Sequence, residues 1–398
     1  MIVDLVVVVL ALPVLVACGY LLLLTLLSGD TPAPARVEPG LKFDIIVPAH
    51  NEEAGIAKTV ANLSAVDWPA VRRRILVVAD NCSDATADRA REAGATVLVR
   101  HNKELRGKGY ALQLAFEESL REGFADAVVV VDADTLVSPN LLHAFAARLH
   151  QGAHAVQAHY GVSNPEASWR TRLMAIALAL FHKVRSMGRE RLGVSCGLRG
   201  NGMCFTHTVI RQVPHEAFSI VEDLEYGIRL GQAGHRVHYA WEAEVLGEMV
   251  SSEKAARSQR RRWEGGRLAM ARSFGLPLLG EALRKGDKVL LDLAMDLLVP
   301  PLSYVALGTV LAGGASAGIS LWLGGVAVSA WVAGACVFSL ATYVLRGWWI
   351  SGMGARGLLD LAMAPVYVVW KLWLVVSRPE EKKGEWVRTA RESQKPAD

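Results

Sequence analysis

An almost unbroken apolar run from Ile2 to Leu27 limits what this chain can fold into more than any other segment. Only Asp4 and Pro13 interrupt the run, and it is long enough to cross a hydrocarbon core of about 30 Å. A stretch of this length and composition is typical of a membrane span. We therefore expect residues 1–28 to form an N-terminal transmembrane anchor.

A cleaved leader is the alternative interpretation of the same run. Leu15-Val16-Ala17-Cys18 is similar to a lipoprotein processing site with a thiol that becomes acylated, and cleavage there would make the protein a periplasmic lipoprotein. Two features favour retention of the segment. The start of the chain has no Lys or Arg, and the apolar run continues beyond Cys18 to Leu27.

A second apolar region follows Asp287; the hydrophobic content is 52% over 398 residues, and the excess of apolar residues is concentrated at the two ends. That proportion is too high for an ordinary soluble enzyme of this size. We expect C-terminal membrane helices over residues 288–377, with apolar segments at about 289–312, 318–345 and 357–377. A full crossing of the third segment would export the basic tail 378–398, so we predict that this segment is interfacial or re-entrant and that the tail is cytoplasmic.

Basic residues beside these segments set the expected orientation. Arg284, Lys285 and Lys288 precede the first C-terminal segment, and the positive-inside rule places the region 43–287 and the loop 346–356 in the cytoplasm. The Pro-rich residues 29–42 between anchor and domain form the predicted linker.

Two segments near the membrane have alternative interpretations. Residues 267–287 are predicted to form an interfacial amphipathic helix, and a helix buried in the domain is the alternative. Asp292 and Asp296 share a helix face that should point at protein, water or the acceptor rather than lipid. Alternatively, this helix extends below the membrane.

Charge and cysteine content exclude some partners and compartments. The net charge of +4 is small and mixed in sign, so nucleic acid is not an expected partner, whereas basic residues near the spans suit anionic membrane lipids. The five cysteines are scattered without a C-x-x-C pair. That pattern is typical of a reducing compartment and a protein without structural zinc.

Short β-branched runs alternate with helical segments between the apolar ends. Continuous apolar strands of this kind are typical of a mostly parallel sheet covered on both faces, so the predicted fold class is α/β. The predicted elements are strand 43–47, helix 52–63, strand 75–79, helix 84–93, strand 96–99, helix 108–123 and strand 127–131.

Polar residues follow three of these strands. Pro48, Asn51 and Glu52 come after the first strand, Asp80 comes after the second, and an aspartate pair comes after the fourth. Open parallel sheets bind ligands at the edge where the carboxyl ends of the strands meet. A single Asp or Asn is also common in a turn or a helix cap, but three such groups at one edge favour a binding site.

Asp132 and Asp134 form the aspartate pair. Two carboxylates one residue apart can reach a divalent cation together with diphosphate oxygens, and Mg²⁺ and Mn²⁺ prefer such ligands. Lys108 opens a predicted helix and either faces a phosphate or belongs to an ordinary loop. The sequence has no Walker lysine loop and no G-x-G-x-x-G, so P-loop hydrolysis and dinucleotide redox chemistry lose their usual support.

Two later motifs add a carboxylate pair and a basic run. Glu222 and Asp223 begin a predicted helix, where Asp223 either interacts with the helix dipole or accepts a proton from a sugar hydroxyl. Gln259, Arg262 and Trp263 form a Gln-x-x-Arg-Trp run. An arginine fork there can hold two phosphate oxygens and an indole can support a sugar ring, while a solvated basic face with a buried Trp is the alternative.

Taken in order, these motifs resemble a family 2 glycosyltransferase of the GT-A fold. The branch is that of the cellulose, hyaluronan and chitin-oligosaccharide synthases and many bacterial exopolysaccharide enzymes. The resemblance covers about residues 43–270, and we delimit the glycosyltransferase domain as 43–266. One departure is visible, because the familiar Thr-Glu-Asp is Val221-Glu222-Asp223 here.

The resemblance implies a role for each motif residue. Those implied to surround the nucleoside are Pro48, Asn51, Glu52 and Asp80. Lys108 would touch the donor phosphates, and Asp132 with Asp134 would hold Mg²⁺ or Mn²⁺ and the diphosphate. Asp223, beside Glu222, would be the catalytic base. Gln259 and Arg262 would hold the leaving group, and Trp263 would support the acceptor.

The implied reaction moves a hexose, of the glucose or N-acetylglucosamine class, from a UDP-sugar to a lipid-linked, glycolipid or polysaccharide acceptor with inversion. The expected location is a bacterial inner membrane with the catalytic domain in the cytoplasm. Three or four hydrophobic segments leave little material for a polymer channel, which favours addition of one or a few sugars. A processive β-glycan synthase and a catalytically silent nucleotide-binding scaffold are the alternatives.

Overall fold

The structure is a computed structural model that describes residues 2–249 and 253–365, with backbone only for residues 253–262. Two sequence predictions lie wholly or partly outside this range. Most of the predicted interfacial segment at 357–377 and all of the predicted tail at 378–398 fall beyond the described residues.

An eight-stranded mixed sheet forms the centre of the domain, in the spatial order β3-β2-β1-β4-β7-β6-β8-β5. The strands are β1 (Phe43–Ala49), β2 (Arg73–Asp80), β3 (Thr96–Arg100), β4 (Ala127–Val130), β5 (Thr135–Val137), β6 (Ala155–Val162), β7 (Met203–Thr206) and β8 (Val237–Gly247). Four neighbouring pairs are parallel and three are antiparallel. The predicted α/β fold with a mostly parallel sheet is confirmed.

Helix α1 (Ile2–Leu26) precedes the sheet domain, and the helices that follow it cover both faces of the sheet. In chain order these are α2 (Ile56–Ser64), α3 (Thr86–Glu92), α4 (Lys108–Glu122), α5 (Leu141–His150), α6 (Trp169–Leu178), α7 (Arg185–Arg191), α8 (His207–Gln212) and α9 (Glu222–Gln232). A π-helix at Ala179–Val184 joins α6 to α7, and short 3-10 turns occupy Ala70–Arg72 and Pro165–Ala167.

The first strand shows why the sheet is buried on both sides. All seven residues of β1 are buried, and successive side chains of a strand point to opposite faces. Ile45 belongs to the same hydrophobic cluster as Val60 of α2, whereas Ile46 belongs to the cluster that contains Phe116 of α4. A run of apolar residues without alternation is therefore required here.

Three helices in the described part of the chain are long and apolar enough to cross a membrane: α1, α12 (Leu302–Leu323) and α13 (Val328–Ser351). Their hydrogen bonds fix their relative directions. Asp4 accepts bonds from the N–H groups of Val328 and Ser329 at 3.0 Å, and Arg346 donates to the Ser28 carbonyl at 2.6 Å. The first and last of these helices therefore run parallel, with α12 antiparallel between them in sequence.

The same contacts place the sheet domain at one end of this bundle. Arg191 of α7 donates to the Gly29 carbonyl at 3.2 Å, just after α1 ends. The C-terminal ends of α1 and α13 and the start of α12 thus lie on the side of the domain. The turn between Leu323 and Val328 lies on the opposite side.

The predicted span at 289–312 is wrong. Two helices occupy this region and the residues before it: α10 (Glu253–Lys285) and α11 (Lys288–Leu298), and the next helix begins only at Leu302. Pro300 and Pro301 separate α11 from α12, because proline cannot donate the backbone hydrogen bond that continues a helix. Leu290 and Leu293 of α11 pack with Met270 and Ile228, so α11 belongs to the base of the domain.

The predicted segment 318–345 also crosses a boundary between two helices. Gly324 ends α12 in a left-handed conformation with φ of 66°, a backbone geometry that glycine adopts without steric penalty. The last helix, α14 (Gly354–Leu361), follows α13 after a left-handed glycine at Gly352. Glycine turns, rather than changes of hydropathy, set both helix ends.

Residues 267–285 of the predicted interfacial segment lie in α10 and have two distinct faces. Met270, Leu278 and Ala282 are buried in the cluster shared with α9 and α11. Leu276 and Leu283 are exposed at 72% and 68%. One face therefore packs on the domain, and the other presents leucine side chains outward.

Candidate active site

Lys108 joins three other segments at the carboxyl edge of the sheet. Its Nζ donates to Asp132 Oδ1 and to the Gly200 carbonyl, both at 2.5 Å, and lies 3.8 Å from Glu222 Oε1. Burial acts to lower the pKa of Lys108, but the carboxylates of Asp132 and Glu222 outweigh it and raise the pKa. This lysine is a fixed positive charge among acceptors, suited to an incoming phosphate.

Two glycines place Lys108 at the start of α4. Gly107 has φ of 132°, in the region that favours glycine, and directly precedes the helix. A Cβ on Gly109 would lie 2.2 Å from the Ala217 carbonyl oxygen. The helix can begin this close to residue 217 only because position 109 has no side chain.

The acid pair Glu222 and Asp223 begins α9 beside this lysine. Burial raises the pKa of Glu222 to about 7, although Lys108 acts in the opposite direction. Burial also raises the pKa of Asp223. A carboxylate with a raised pKa is a stronger base near neutral pH, so this pair has the acid–base chemistry needed to deprotonate a hydroxyl.

Gly200 allows the acid pair to approach the lysine. This glycine has φ of 76°, and a Cβ there would meet Asp223 Oδ2 at 3.4 Å. Because its carbonyl accepts from Lys108, Gly200 contacts both the lysine and the aspartate. The backbone at residue 200 therefore comes close to the acid pair.

Gln157 and Asn201 hold this loop in place, and the sequence analysis did not identify either as a site residue. Buried Gln157 accepts from the Arg199 N–H at 2.9 Å and donates to the Asn201 carbonyl at 2.7 Å. Asn201 accepts from the Asp132 N–H at 3.1 Å and donates to Thr135 Oγ1 at 2.7 Å. A glutamine inside the otherwise apolar run at 155–158 was the available signal.

The residues expected around the nucleoside lie at the ends of β1 and β2. Asp80 Oδ1 accepts from Arg100 Nη1 at 2.7 Å, whereas its buried Oδ2 has no hydrogen-bond partner among the described residues. A buried carboxylate oxygen without a donor is expected to have one supplied by a ligand N–H or O–H. Arg100 also lies over the Tyr110 ring at 5.5 Å, which connects this region to α4.

Two asparagines shape the loops around Asp80. Asn51 and Asn81 have φ of 56° and 51°, a left-handed conformation that asparagine tolerates better than most residues. Asn51 Oδ1 accepts from the Ser83 N–H at 2.8 Å, so the loops after β1 and β2 are joined. Glu52 donates its N–H to Thr86 Oγ1 at 2.8 Å, and Pro48 is buried opposite Val78.

Asp132 and Asp134 are the residues here that fit a divalent cation. Asp134 Oδ1 accepts from Thr135 Oγ1 at 3.3 Å, and Asp132 is the partner of Lys108. Within residues 2–249 and 263–365, no three His, Cys, Asp or Glu side chains are grouped as a metal cage. Two carboxylates suit Mg²⁺ or Mn²⁺ when substrate phosphates and water complete the coordination, so the donor set fits.

The Gln-x-x-Arg-Trp run lies in α10, and the side chains of Gln259 and Arg262 are outside the described ones. Trp263 is half-buried. Three residues later, a Cβ on Gly266 would lie 2.7 Å from Val221 Cγ1. This close approach brings the helix that carries the run against the residue just before Glu222.

Residues 39–266 match the family described as Glycosyltransferase like family 2. A probable glycosyltransferase, YdaM, of Bacillus subtilis is 26% identical over 56% of this chain and 55% of the relative. Beta-monoglucosyldiacylglycerol synthase of Synechocystis sp. is 30% identical over 61% of this chain and 50% of the relative. The chain thus spans about half the length of these curated relatives.

Comparison of folds gives a consistent result. A mannosyltransferase of Pyrobaculum calidifontis, PcManGT, solved with GDP-Man and Mn²⁺, matches with a TM-score of 0.53 and 17% sequence identity. The match covers 87% of this chain and 99% of that structure. The two proteins share a fold.

Proposed function

Because the chain belongs to the family 2 glycosyltransferases, we propose that it is an inverting enzyme moving a hexose from a UDP-sugar to a lipid-linked or glycolipid acceptor. The cluster around Lys108 is the observation that carries this proposal. Lys108, Asp132, Glu222 and Asp223 come from three separate segments and meet at the edge of the sheet where ligands bind.

The donor nucleoside lies at the ends of β1 and β2 in this proposal. Pro48, Asn51, Glu52 and Asp80 line that region, and Asp80 Oδ2 supplies an acceptor for a base N–H. The donor diphosphate then extends toward Lys108, whose ammonium group forms charge-assisted hydrogen bonds with its oxygens. Tyr110 and Arg100 border the path between the two regions.

The transfer itself is a single displacement at the anomeric carbon. An acceptor hydroxyl oxygen forms the new bond to this carbon while the bond to the diphosphate oxygen breaks, and UDP leaves with that electron pair. Asp223 accepts the proton of the hydroxyl. Glu222 is buried beside Asp223 and favours the state in which the acid pair holds this proton. Attack opposite the leaving group inverts the configuration.

Asp132 and Asp134 would hold a Mg²⁺ or Mn²⁺ ion at the diphosphate. Bound there, the cation supplies positive charge that stabilises the departing UDP. The proposed roles of Gln259 and Arg262 are to hold the same leaving group, and that of Trp263 is to support the acceptor sugar or glycerol. Contact between α10 and Val221 supports these roles, because it brings the run beside the acid pair.

A membrane-held acceptor is the proposed second substrate. The domain sits at one end of the bundle formed by α1, α12 and α13, and the exposed Leu276 and Leu283 of α10 are available to the lipid interface. Similarity to a beta-monoglucosyldiacylglycerol synthase supports a lipid acceptor and addition of a single sugar. We place the domain on the cytoplasmic side of a bacterial inner membrane, where basic Arg346 also lies.

The decisive experiment measures sugar transfer by the full chain in nanodiscs with a panel of radiolabelled UDP-hexoses and a lipid extract. Asp223→Asn removes the base while keeping its size, and we expect turnover to fall by roughly 10²- to 10⁴-fold with UDP binding retained. Glu225→Gln is the matched control, since Glu225 is on the same turn of α9 and pairs with Arg229 instead.

Three outcomes would contradict the proposal in different ways. Near-normal turnover of Asp223→Asn would remove this residue from the role of base. If the wild-type protein binds UDP but forms no free UDP from any UDP-hexose, the result would favour the alternative function of a catalytically silent nucleotide-binding scaffold. A long polymer among the products would instead identify a processive synthase.

A further inference from the structure

Four arginines and two aspartates form a buried cluster between the domain and the membrane helices; we call it the arginine cluster. Asp292 and Asp296 lie on α11, at 8% and 3% exposure. Arg189 donates to Asp292 Oδ2 at 2.6 Å, and Arg185 donates to Asp296 Oδ1 at 3.3 Å. The shared face predicted for the two aspartates therefore points at protein. The four arginines are Arg185, Arg189, Arg199 and Arg267.

The arginine cluster contains more positive than negative charge. Four guanidinium groups face the carboxylates of Asp292 and Asp296, and the Asp223 carboxylate also attracts Arg199. Positive charge remains in excess, because arginine stays protonated in proteins. Three arginines pair with Asp292 or Asp296, whereas Arg199 donates to the carbonyls of Cys196 and Phe181. Buried charge of one sign is costly unless an opposite charge compensates it.

Two guanidinium N–H groups in the arginine cluster are also without acceptors. Arg189 Nη2 and Arg199 Nε are buried and have no hydrogen-bond partner among the described residues. Arg189 is 0% exposed and Arg199 is 9% exposed. Buried donors of charged groups are expected to have acceptors, so an anion that supplies oxygens would satisfy both the charge and the hydrogen bonds.

The Phe181 ring lies close to the guanidinium groups of three of these arginines. Its ring centroid lies 4.3 Å from Arg199 Cζ, 4.9 Å from Arg185 Cζ and 5.1 Å from Arg267 Cζ. The ring offers a weak attraction to each cation but no negative charge and no strong acceptor. Phe181 lies in the π-helix at Ala179–Val184, a rare conformation that is frequently found at functional sites.

The arginine cluster is level with the inner ends of the membrane helices. Tyr20 of α1 donates to Asp292 at 2.9 Å, and Arg185 donates to the Tyr343 hydroxyl at 2.9 Å. Six residues separate Tyr20 from the end of α1 and eight separate Tyr343 from the end of α13. At 1.5 Å per residue these are depths of roughly 9 and 12 Å, close to where phospholipid headgroups meet the acyl chains.

The arginine cluster also borders the proposed transfer site. Arg199 directly precedes Gly200, which contacts both Lys108 and Asp223. Arg267 follows Trp263 by four residues on α10, and residues at this spacing share a helix face. Arg267 retains 14% exposure of its side chain. One end of the cluster is thus next to the acid pair, and the other is at the membrane.

We infer that the arginine cluster binds the phosphate group of an anionic lipid acceptor, with Arg199 and Arg267 as the direct ligands. The phosphate oxygens accept from the unpaired Nε of Arg199 and from the partly exposed guanidinium group of Arg267, and the phosphate neutralises the excess charge. A hydroxyl of the same lipid then extends past Gly200 toward Asp223. The inference deepens the proposed transfer to a membrane lipid, and it distinguishes phosphate-bearing acceptors from neutral ones such as diacylglycerol.

Binding to the arginine cluster is measurable without sugar transfer. We would follow the Tm of the full chain in a nonionic detergent with dioctanoyl phosphatidylglycerol, dioctanoylglycerol or inorganic phosphate at equal concentration. Both lipids carry a free hydroxyl, and phosphatidylglycerol differs from dioctanoylglycerol by a glycerol headgroup attached through a phosphodiester. We expect phosphatidylglycerol to raise the Tm by several degrees, since a ligand that binds only the folded state stabilises it. Neither dioctanoylglycerol nor inorganic phosphate should match that rise.

Substitutions locate the site of this effect. Arg267→Gln and Arg199→Gln should abolish the Tm rise with phosphatidylglycerol, and Arg267→Lys, which keeps the charge, should retain part of it. Arg272→Gln is the matched control, because Arg272 is an exposed arginine on the same helix. It should respond like the wild type. The Tm rise caused by UDP should persist in every variant, which shows that the donor region is folded.

The inference and the proposed function fail separately. An equal Tm rise with dioctanoylglycerol, a rise that survives both glutamine variants, or an equal rise with inorganic phosphate would overturn the lipid-phosphate site. Sugar transfer with such a result would leave the proposed function standing. Conversely, a phosphatidylglycerol effect that depends on Arg267, in a protein without sugar transfer, would support the site and contradict the proposed function.

Discussion

Burial of Glu222 beside Lys108 sets the protonation state of the acid pair. The pKa of Glu222 is raised to about 7 from an ordinary value of 4.5, so the side chain carries a proton in a substantial fraction of molecules near neutral pH. A neutral Glu222 leaves Lys108 with fewer negative neighbours and therefore a stronger field for an incoming diphosphate.

The raised pKa of Glu222 has a consequence for stability. Because the folded pKa lies above the unfolded one, ionisation of this group disfavours the fold, and the loss develops as the pH rises from 4.5 to about 7. The free energy of unfolding of Glu222→Gln should therefore exceed that of the wild type by up to about 3 kcal/mol above pH 7, and by little below pH 4.5. The Tm difference between variant and wild type at about pH 5 and about pH 8 checks this.

The same Tm difference at both pH values would contradict the raised pKa of Glu222. Glu225→Gln, on the same turn of α9, is the control for loss of a carboxylate and its bond to Arg229.

Asp134 provides a second prediction for a single residue. If Asp132 and Asp134 hold a divalent cation through two carboxylates, excess EDTA should abolish transfer and added Mn²⁺ or Mg²⁺ should restore it. Asp134→Ala should weaken metal-dependent UDP binding by at least about tenfold, equivalent to about 1.4 kcal/mol. Calorimetry of UDP binding with and without metal measures both effects, and full activity in EDTA would contradict the metal site.

Some site residues could be predicted from the sequence and others could not. Asp132 follows an apolar strand, so its position at the sheet edge could be inferred from strand order, whereas Asp223 begins a predicted helix and its role as base was implied by the family resemblance. Gln157 was not identified as a site residue, because its two bonds depend on where β6 lies next to the loop at 199–202. The four arginines of the arginine cluster come from three segments that only the fold brings together.

Elements whose ends coincide with a change from apolar to polar sequence were predicted closely. Elements that end at a proline or glycine inside apolar sequence were not. The strands β1 to β4 matched because each is an apolar run between polar loops. The strands β5 to β8 were not predicted; β8 mixes buried with half-buried positions and pairs with distant segments. The spans predicted at 289–312 and 318–345 failed because Pro300–Pro301 and Gly324 end helices inside apolar sequence.

Contact between α1 and α7 gives a prediction at the scale of elements. A Cβ on Gly188 would lie 2.6 Å from the Leu24 carbonyl oxygen, so Gly188→Ala must push the two helices apart. We expect a loss of about 1–3 kcal/mol, measured as a lower Tm of the full chain in detergent. Gly280→Ala in α10 is the control. No atom lies within 4 Å of its Cβ, and it should be neutral or slightly stabilising.

A Gly188→Ala protein as stable as the wild type would show that α1 and α7 do not pack as described. A Gly280→Ala protein that loses as much would show that any added methyl group is harmful.

The whole molecule combines a domain with a bundle of fixed topology. The parallel direction of α1 and α13 places residue 40 on the side of the domain and the turn at 325 on the other side. In a background without the five native cysteines, Gly325→Cys should react with a membrane-impermeant maleimide in intact cells. Gly40→Cys should react only after permeabilisation.

Both positions are exposed, so access to them reports the side of the membrane and not burial. Reaction of Gly40→Cys in intact cells would place the domain outside, away from cytoplasmic nucleotide sugars, and would revive the lipoprotein interpretation.

The bond between Asp4 and the start of α13 also dictates an order of assembly during synthesis. Asp4 and Val328 are 324 residues apart, so at ribosomal rates of about 5–20 residues per second the acceptor precedes its donor by roughly 16–65 s. Throughout that interval α1 must remain in the membrane without α13, the helix that it contacts most extensively. Completion of the contact between α1 and α13 is therefore a late event, and the sheet domain is synthesised before it.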